Sequence, residues 1–351
     1  MKLHQFSQQG KRSNNEDSLG VSEGLITVCD GMGGHNYGER ASAFVVEHLL
    51  QAFAERQSLG KMDIQKQLDK VQTDLKQLLE KEPELEGMGT TFTGIFRTPD
   101  VWYAAHIGDS RIYLFRPSER KLWHTWDHSL VGELMRTHEI TVEAGRFHPM
   151  SNRISKAIIA QQDKKPAVAS IVKIDELKEG DILLLCSDGV VEAWGDWELV
   201  RLFADKKLNF EQKCERLARQ CNETSKDNNT AIIAEIEASD AFSYGNDDEQ
   251  DWTTFDEVEA DYKQYKMDNG IVDDPFQEAN RKDARSARRW WGVVAVFLLV
   301  AAATLFFVLR QEKKDVAAKD PKTKATTEKV IPQKKPAPTL NTPENTKTDK
   351  E

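Results

Sequence analysis

Residues 28–38 read VCDGMGGHNYG, where an aspartate follows an apolar run and three of the next four residues are glycines. Glycine readily adopts the positive φ values of tight turns, so the glycines alone indicate a strand that ends in a turn. They do not account for Asp30, because a carboxylate at the end of a buried strand is costly without a partner. The stretch therefore predicts either a local turn hydrogen bond or a metal site at Asp30.

Further acidic residues stand where other predicted strands meet loops. The segments are NNED (14–17), HIGDSR (106–111), LLLCSDG (183–189) and SKDNNT (225–230), and the residues are Glu16, Asp17, Asp109, Asp188 and Asp227. Singly, each fits a turn aspartate with a local hydrogen bond. Together they would repel one another unless a cation neutralised them, and oxygen-only ligands suit Mg²⁺ or Mn²⁺ rather than zinc. The pattern predicts a metal site, where Gly31 could offer its carbonyl, but it names no reaction.

Composition narrows the class of protein. The chain has 351 residues, of which 39% are hydrophobic and 30% charged, so one large domain or two smaller ones are affordable. The net charge of −10 argues against nucleic acid as the main partner. No CxxC pair occurs, and the N-terminal stretch has no apolar core typical of a signal peptide, so a reducing compartment is expected. The four cysteines are Cys29, Cys186, Cys214 and Cys221.

Alternating and apolar runs predict strands, and 3.6-residue periodicity predicts helices. The helices are expected at 39–57, 62–82 and 210–224, and the strands at 24–30, 90–96, 102–108, 111–116, 169–174, 181–188 and 230–237. Strands that follow one another through short turns, with helices between the groups, predict an α+β fold in which helices cover antiparallel sheets.

The C-terminal third divides by composition. Residues 240–278 are acidic, 281–289 are basic, and 310–351 are a Lys-, Thr- and Pro-rich tail expected to be disordered. Between them, WWGVVAVFLLVAAATLFFVL (290–309) is uncharged and predicts a single transmembrane helix, although a buried core helix is the alternative. Basic residues flank both ends of this segment, so the distribution of positive charge does not indicate its orientation in a membrane. The expected topology, a cytoplasmic catalytic part and an external tail, therefore rests on the unpaired cysteines and the absence of a signal peptide.

Seven segments occur in the order found in one enzyme family: RSNNED, VCDGMGGHNYGE, GTTFTG, IGDSR, DHSL, CSDG and DNNT. The chain resembles the metal-dependent protein serine/threonine phosphatases of the protein phosphatase 2C type, in their bacterial branch, over nearly all of residues 1–238. The resemblance implies a four-layer α-β-β-α sandwich. It also implies hydrolysis of phosphoserine and phosphothreonine by a metal-activated water, in proteins phosphorylated by a serine/threonine kinase.

The resemblance also assigns roles to the acidic residues. Asp30 would bridge two Mn²⁺ or Mg²⁺ ions. Glu16 and the Gly31 carbonyl would complete one site, while Asp188 and Asp227 would help to hold the other. Asp30 and Asp188 are thus also expected to be catalytic.

Three further expectations follow from the same resemblance. Asp17 would orient metal-bound waters, Asp109 with Asp188 would hold a third ion, and Arg12 would bind the phosphate. Met32 stands where some relatives have a histidine proposed as the general acid, so the acid stays open between His35 and a metal-bound water.

The segment HPMSNRISKAIIAQQDKK (148–165) matches the family only loosely, and 132–160 correspond to its variable flap beside the active site. Substrate preference is therefore not predicted. Two other functions remain: a non-catalytic membrane-anchored scaffold that binds phosphoproteins, and a membrane sensor whose tail receives the signal. For the acidic stretch 240–278, both a solvated tether and a segment docked on the catalytic domain stay open.

Overall fold

The computed structural model describes residues 1–33, 37–99, 101–161, 165–244 and 250–271, which fold around two antiparallel sheets. Strands are numbered in chain order. The larger sheet has the spatial order β1 (Lys2–Gln8), β14 (Asn229–Glu235), β13 (Ile182–Cys186), β8 (Arg111–Arg116), β9 (Lys121–His124) and β16 (Thr253–Thr254). The second has the order β11 (Ser170–Ile174), β7 (Trp102–Ile107), β6 (Phe92–Arg97), β3 (Leu25–Cys29) and β2 (Ser18–Val21).

Short strands and the helices complete the fold. A three-stranded ribbon joins β10 (Ile158–Ile159), β5 (Gly89–Thr90) and β4 (Gly31–Met32), and a separate pair joins β12 (Glu176–Leu177) to β15 (Phe242–Ser243). The helices are α1 (Gly38–Ala52), α2 (Lys61–Lys81), α3 (Leu130–Arg136), α4 (Val142–Arg146), α5 (Asp188–Ala193), α6 (Asp196–Ala204), α7 (Phe210–Thr224) and α8 (Phe255–Asp268).

Alternation of side chains along the strands produces three cores. In β13, Leu183 and Leu185 pack between the two sheets, whereas Leu184 and Cys186 pack against helices on the outer face. In β3, likewise, Ile26 and Val28 face the other sheet. Both faces of these strands are therefore dry, which explains their continuous apolar sequences and produces the order helices, sheet, sheet, helices.

The α+β prediction is confirmed, because antiparallel sheets lie between layers of helices. The three helices expected from periodicity correspond to α1, α2 and α7. The apolar stripe predicted for α2 comprises positions 64, 68, 71, 75 and 78. Ile64, Leu68, Val71 and Leu75 are each at most 3% exposed, whereas Leu78 is half-buried. Of the described residues, no helix has the length and apolar character needed to cross a membrane. The predicted span 290–309 and the tail 310–351 lie outside the described residues.

Residues 250–271 pack onto the same compact unit as the rest of the described chain. Strand β16 adds an edge to the larger sheet through Thr253 opposite Leu122, and the Phe255 amide donates to the Arg120 carbonyl at 2.9 Å. Phe255 is 1% exposed within the core under α8. Residues 250–271 of the acidic stretch are therefore docked on the preceding part of the chain and are not a solvated tether. The compact unit continues past residue 238, where the composition of the sequence changes.

Phe255→Ala is expected to lower the free energy of unfolding by about 3–5 kcal/mol, because truncating a fully buried phenylalanine leaves a cavity. Met267→Ala is the matched control, since Met267 lies on the same helix and is 70% exposed. Urea unfolding of both variants in the full chain tests this. Equal stability of the two variants would show that α8 does not contribute to the core.

Candidate metal and phosphate site

The predicted acidic residues are brought together because each adjoins a strand at the same end of the two sheets. Asp30 follows β3, Asp109 follows β7 after Gly108, and Asp188 begins α5 one residue after the end of β13. Gly108 has a φ of 109°, and a Cβ there would lie 2.7 Å from the Thr91 side chain, so the turn that presents Asp109 requires glycine.

One cavity of about 410 Å³ collects these residues. The predicted site residues on its wall are Arg12, Glu16, Asp30, Gly31, Asp109, Asp188 and Asp227. Asp17 does not line the wall; it is buried, at 9% exposure, and its negative charge contributes to the raised pKa of the neighbouring Asp30. The structure therefore places all eight predicted residues in or directly behind a single cavity.

Burial and mutual repulsion raise the pKa values of the acidic residues in this cavity. Burial raises the pKa of Asp109 to about 7 and that of Asp17 to about 6, and neighbouring carboxylates add to both increases. The pKa values of Asp30 and Asp188 lie well above their usual range, first through burial and then through the other aspartates. The cluster therefore disfavours its own full ionisation, and nearby positive charge would relieve this cost.

The residues fit a hard divalent cation by their chemistry. All the donors are oxygens, and the buried Oδ1 atom of Asp17 has no hydrogen-bond partner in the structure. A Cβ on Gly31 would lie 2.3 Å from the Gly38 carbonyl oxygen and 2.4 Å from that of Glu16, so only glycine fits this packed backbone. Within the described ranges, no three His, Cys, Asp or Glu side chains form a closed ligand set. The fit therefore rests on donor type and charge.

Polar residues that the sequence analysis did not assign hold the acidic residues in place. The Thr91 hydroxyl accepts from the Asp30 amide at 2.9 Å, and the Ser187 hydroxyl donates to Asp17 at 2.7 Å. The Asn228 side-chain oxygen accepts from the Glu16 amide at 2.9 Å, and its nitrogen donates to two backbone carbonyls. Ser187 in CSDG and Asn228 in DNNT lie next to a predicted ligand, and that adjacency is the signal that could have found them, whereas Thr91 in GTTFTG has no such neighbour.

Arg12 is exposed and reaches into the acidic cavity. Its Nη2 atom lies 2.5 Å from Oδ2 of Asp227, so its guanidinium is placed among the acidic residues and at the open side of the cavity. The loop that carries Asp227 is held from the other side by Glu192, whose carboxylate accepts from the amides of Lys226 at 2.8 Å and Asp227 at 3.3 Å.

A buried ion pair supports the wall beside Asp109. Arg111 donates from Nε and Nη2 to the two carboxylate oxygens of Asp127, at 2.6 and 2.7 Å. Next to it, His128 stacks on His106 with ring centroids 4.4 Å apart, and burial lowers the pKa of both rings, to about 3 for His128. Two residues of the DHSL segment therefore support the cavity wall: Asp127 through its ion pair with Arg111, and His128 through stacking of its neutral ring on that of His106.

A second cavity of about 620 Å³ adjoins the first and shares Arg12, Asp109, Asp188 and Asp227 with it. Its outer wall is the predicted flap, where α3 and α4 contribute Met135, Gly145, Arg146 and Phe147. A substrate that enters the acidic cavity from this side would pass along α4. His35, one of the two alternatives for the general acid, lies outside the described residues.

Comparison with known proteins agrees with this geometry. Residues 6–233 match the family model described as Protein phosphatase 2C. The chain is 32% identical over 238 residues to the serine/threonine phosphatase Stp of Listeria innocua, which spans 64% of this chain and 91% of that protein.

Solved structures show the same fold. The chain is similar to the serine/threonine phosphatase Stp1 of Staphylococcus aureus, with a TM-score of 0.58, 30% identity, and coverage of 68% of this chain and 95% of that one. It is also similar to the catalytic domain of the phosphatase PstP in complex with two manganese ions, with a TM-score of 0.56, 29% identity, and coverage of 67% and 98%. The chain belongs to the Protein phosphatase 2C family and is a protein serine/threonine phosphatase.

Proposed function

We propose that this phosphatase hydrolyses phosphoserine and phosphothreonine in proteins with Mn²⁺ or Mg²⁺ bound in the acidic cavity. The observation that carries the proposal is the convergence of Glu16, Asp30, Asp188 and Asp227 on one cavity that also holds Arg12. PstP, a similar phosphatase, binds two manganese ions, which supports two ions here. A third, at Asp109 and Asp188, is part of the proposal.

The bound cations would supply neutralisation of phosphoryl charge and a lowered pKa of water. Asp30, Glu16 and the Gly31 carbonyl would hold one cation, and Asp188 with Asp227 the other. Asp17, whose Oδ1 atom has no hydrogen-bond partner, would orient water at this site. Arg12 would bind two phosphate oxygens with its guanidinium and so orient the phosphoryl group.

A non-catalytic scaffold would need the loss of at least one predicted ligand. All seven predicted metal ligands of this chain lie in or directly behind the cavity, so the structure favours turnover. Substrates are proposed to be proteins phosphorylated by a serine/threonine kinase.

Asp30→Asn and Asp188→Asn are each expected to lower kcat on a phosphothreonine peptide by about three orders of magnitude. The fold should survive, because either change removes repulsion among the remaining carboxylates. Peptide hydrolysis with Mn²⁺, together with melting temperatures in EDTA, checks both statements. Glu215→Gln is the control, since this carboxylate is exposed on α7. Full activity of the natural chain in excess EDTA would contradict the proposal.

Arg12→Ala is expected to raise KM for the phosphopeptide about tenfold or more, through loss of a charge-assisted contact with phosphate. Affinity for Mn²⁺ should stay the same or increase, because Arg12 is paired with Asp227 in the structure. Calorimetric Mn²⁺ titration and steady-state kinetics separate the two effects, and Lys11→Ala, at an exposed neighbouring position, is the control. Weaker metal binding with an unchanged KM would show that Arg12 serves the cations instead.

We also propose that residues 290–309 tether the enzyme to a membrane, with residues 1–289 in the cytoplasm and 310–351 outside. The support is the uncharged twenty-residue sequence and the reduced state of the cysteines, all four of which are free and buried. Phosphorylated proteins also arise where ATP is available.

Because the natural cysteines are buried, a single introduced cysteine reports its own side of the membrane. Thr339→Cys in the tail should react with an impermeant maleimide in intact cells or spheroplasts, whereas Ser243→Cys, exposed on β15, should react only after lysis. Labelling of position 243 alone in unlysed cells would reverse the topology. Labelling of neither, together with recovery of the protein in the soluble fraction, would exclude the tether.

A further inference from the structure

Residues 250–271 lie outside the part of the chain that matches the family model, which ends at residue 233. They are anchored by more than the buried Phe255. Trp252 packs under the guanidinium of Arg116, 4.7 Å from ring centroid to Cζ, and Arg120 pairs with Asp256 at 2.7 Å. This addition is therefore a fixed part of the described domain, and its next helix, α8, runs beside the flap.

One side of α8 contacts the start of α4 through a carboxylate. Both oxygens of Asp261 accept from the backbone amide of Val142, at 3.0 and 3.2 Å, where α4 begins. Burial raises the pKa of Asp261 even though this backbone contact lowers it. One turn further along, Tyr265 stacks on Phe147 with centroids 5.9 Å apart, at the end of α4. Helix α8 therefore holds α4 at both of its ends.

The opposite side of α4 faces the reaction cavity. Arg146 donates to Glu143 at 2.6 Å and to the backbone carbonyl of Glu192 at 3.1 Å. The carboxylate of Glu192 in turn fixes the loop that carries Asp227. Gly145, Arg146 and Phe147 also line the larger cavity. A continuous series of contacts thus leads from Asp261 through α4 to the wall along which a substrate protein would lie.

We propose that Asp261 is a positioning residue: it fixes α4 so that the flap presents a preformed surface to the phosphoprotein substrate. The proposal rests on the phosphatase activity, and it extends the determinants of substrate affinity to a helix outside the matched family region. Asp261 does not line either of the two cavities that contain the acidic residues. Its effect is therefore expected on KM for a phosphopeptide and not on chemistry at the phosphoryl group.

The test compares two substrates with the full chain in Mn²⁺. Asp261→Ala should raise KM for a phosphothreonine peptide about tenfold, the equivalent of one lost charge-assisted hydrogen bond, and leave kcat within about twofold. For p-nitrophenyl phosphate, which is too small to reach α4 from the acidic cavity, both constants should be unchanged. Asp261→Asn keeps an acceptor and should recover most of the peptide affinity. Glu259→Ala is the control, because Glu259 lies on the same helix and pairs with the exposed Lys263.

Hydrogen exchange gives an independent readout. The amides of residues 142–147 should exchange faster in Asp261→Ala than in the natural chain, while those of β13 should not change. If Asp261→Ala fails to fold, Tyr265→Ala tests the second contact with the same two substrates. An unchanged peptide KM in a folded variant, or an equal loss on both substrates, overturns the proposal. Absence of peptide turnover by the natural chain would instead contradict the proposed function.

Discussion

The main physical constraint on this structure is that several carboxylates lie close together in one cavity, at the same end of two sheets. Asp30 and Asp188 each follow, within two residues, a strand whose every residue is buried, so the sheets set their positions and they cannot relax away from one another. Burial first, and then repulsion among the aspartates, raises the pKa values of Asp30 and Asp188, and the large apolar cores on both sides of each sheet must offset this cost. Because the fold holds these carboxylates close together, a bound cation would lower the electrostatic free energy of the site and so stabilise the folded protein.

The same constraint explains why much of the fold and site could be predicted from the sequence. Strands that are dry on both faces have continuous apolar sequences, and an aspartate within two residues of the end of such a run is conspicuous. Leu25–Cys29 before Asp30 and Ile182–Cys186 before Asp188 both show this. The long helices could also be predicted from the sequence, since α2 buries apolar residues at a regular helical spacing. The grouping of the acidic residues, however, was derived from the assumption that strand ends meet, and ligand roles came from family resemblance.

What the sequence did not reveal depends on contacts between distant segments. The helices α3 and α4 beside the flap are too short for a hydrophobic periodicity to be recognised in their sequences. The stretch that contains α8 has an acidic composition, which is typical of a linker. Thr254 and Glu257 form a capping box at the start of α8, a local signal that could have indicated a helix there. No local signal indicates that Asp261 meets Val142, 119 residues away. Such pairings follow from the edge strand β16, which fixes where α8 begins.

The position of that edge strand has a consequence for the enzyme. Two residues of β16 extend the larger sheet at β9, the strand that leads into the DHSL segment and the flap. The addition attaches to the first two residues of β9, Lys121 and Leu122, and not at the end of the sheets that holds the acidic residues. A segment attached there can alter the surface met by a substrate protein while the metal-binding strands keep their register. In this arrangement, the added segment and the strand ends that carry the acidic residues lie at separate parts of the fold.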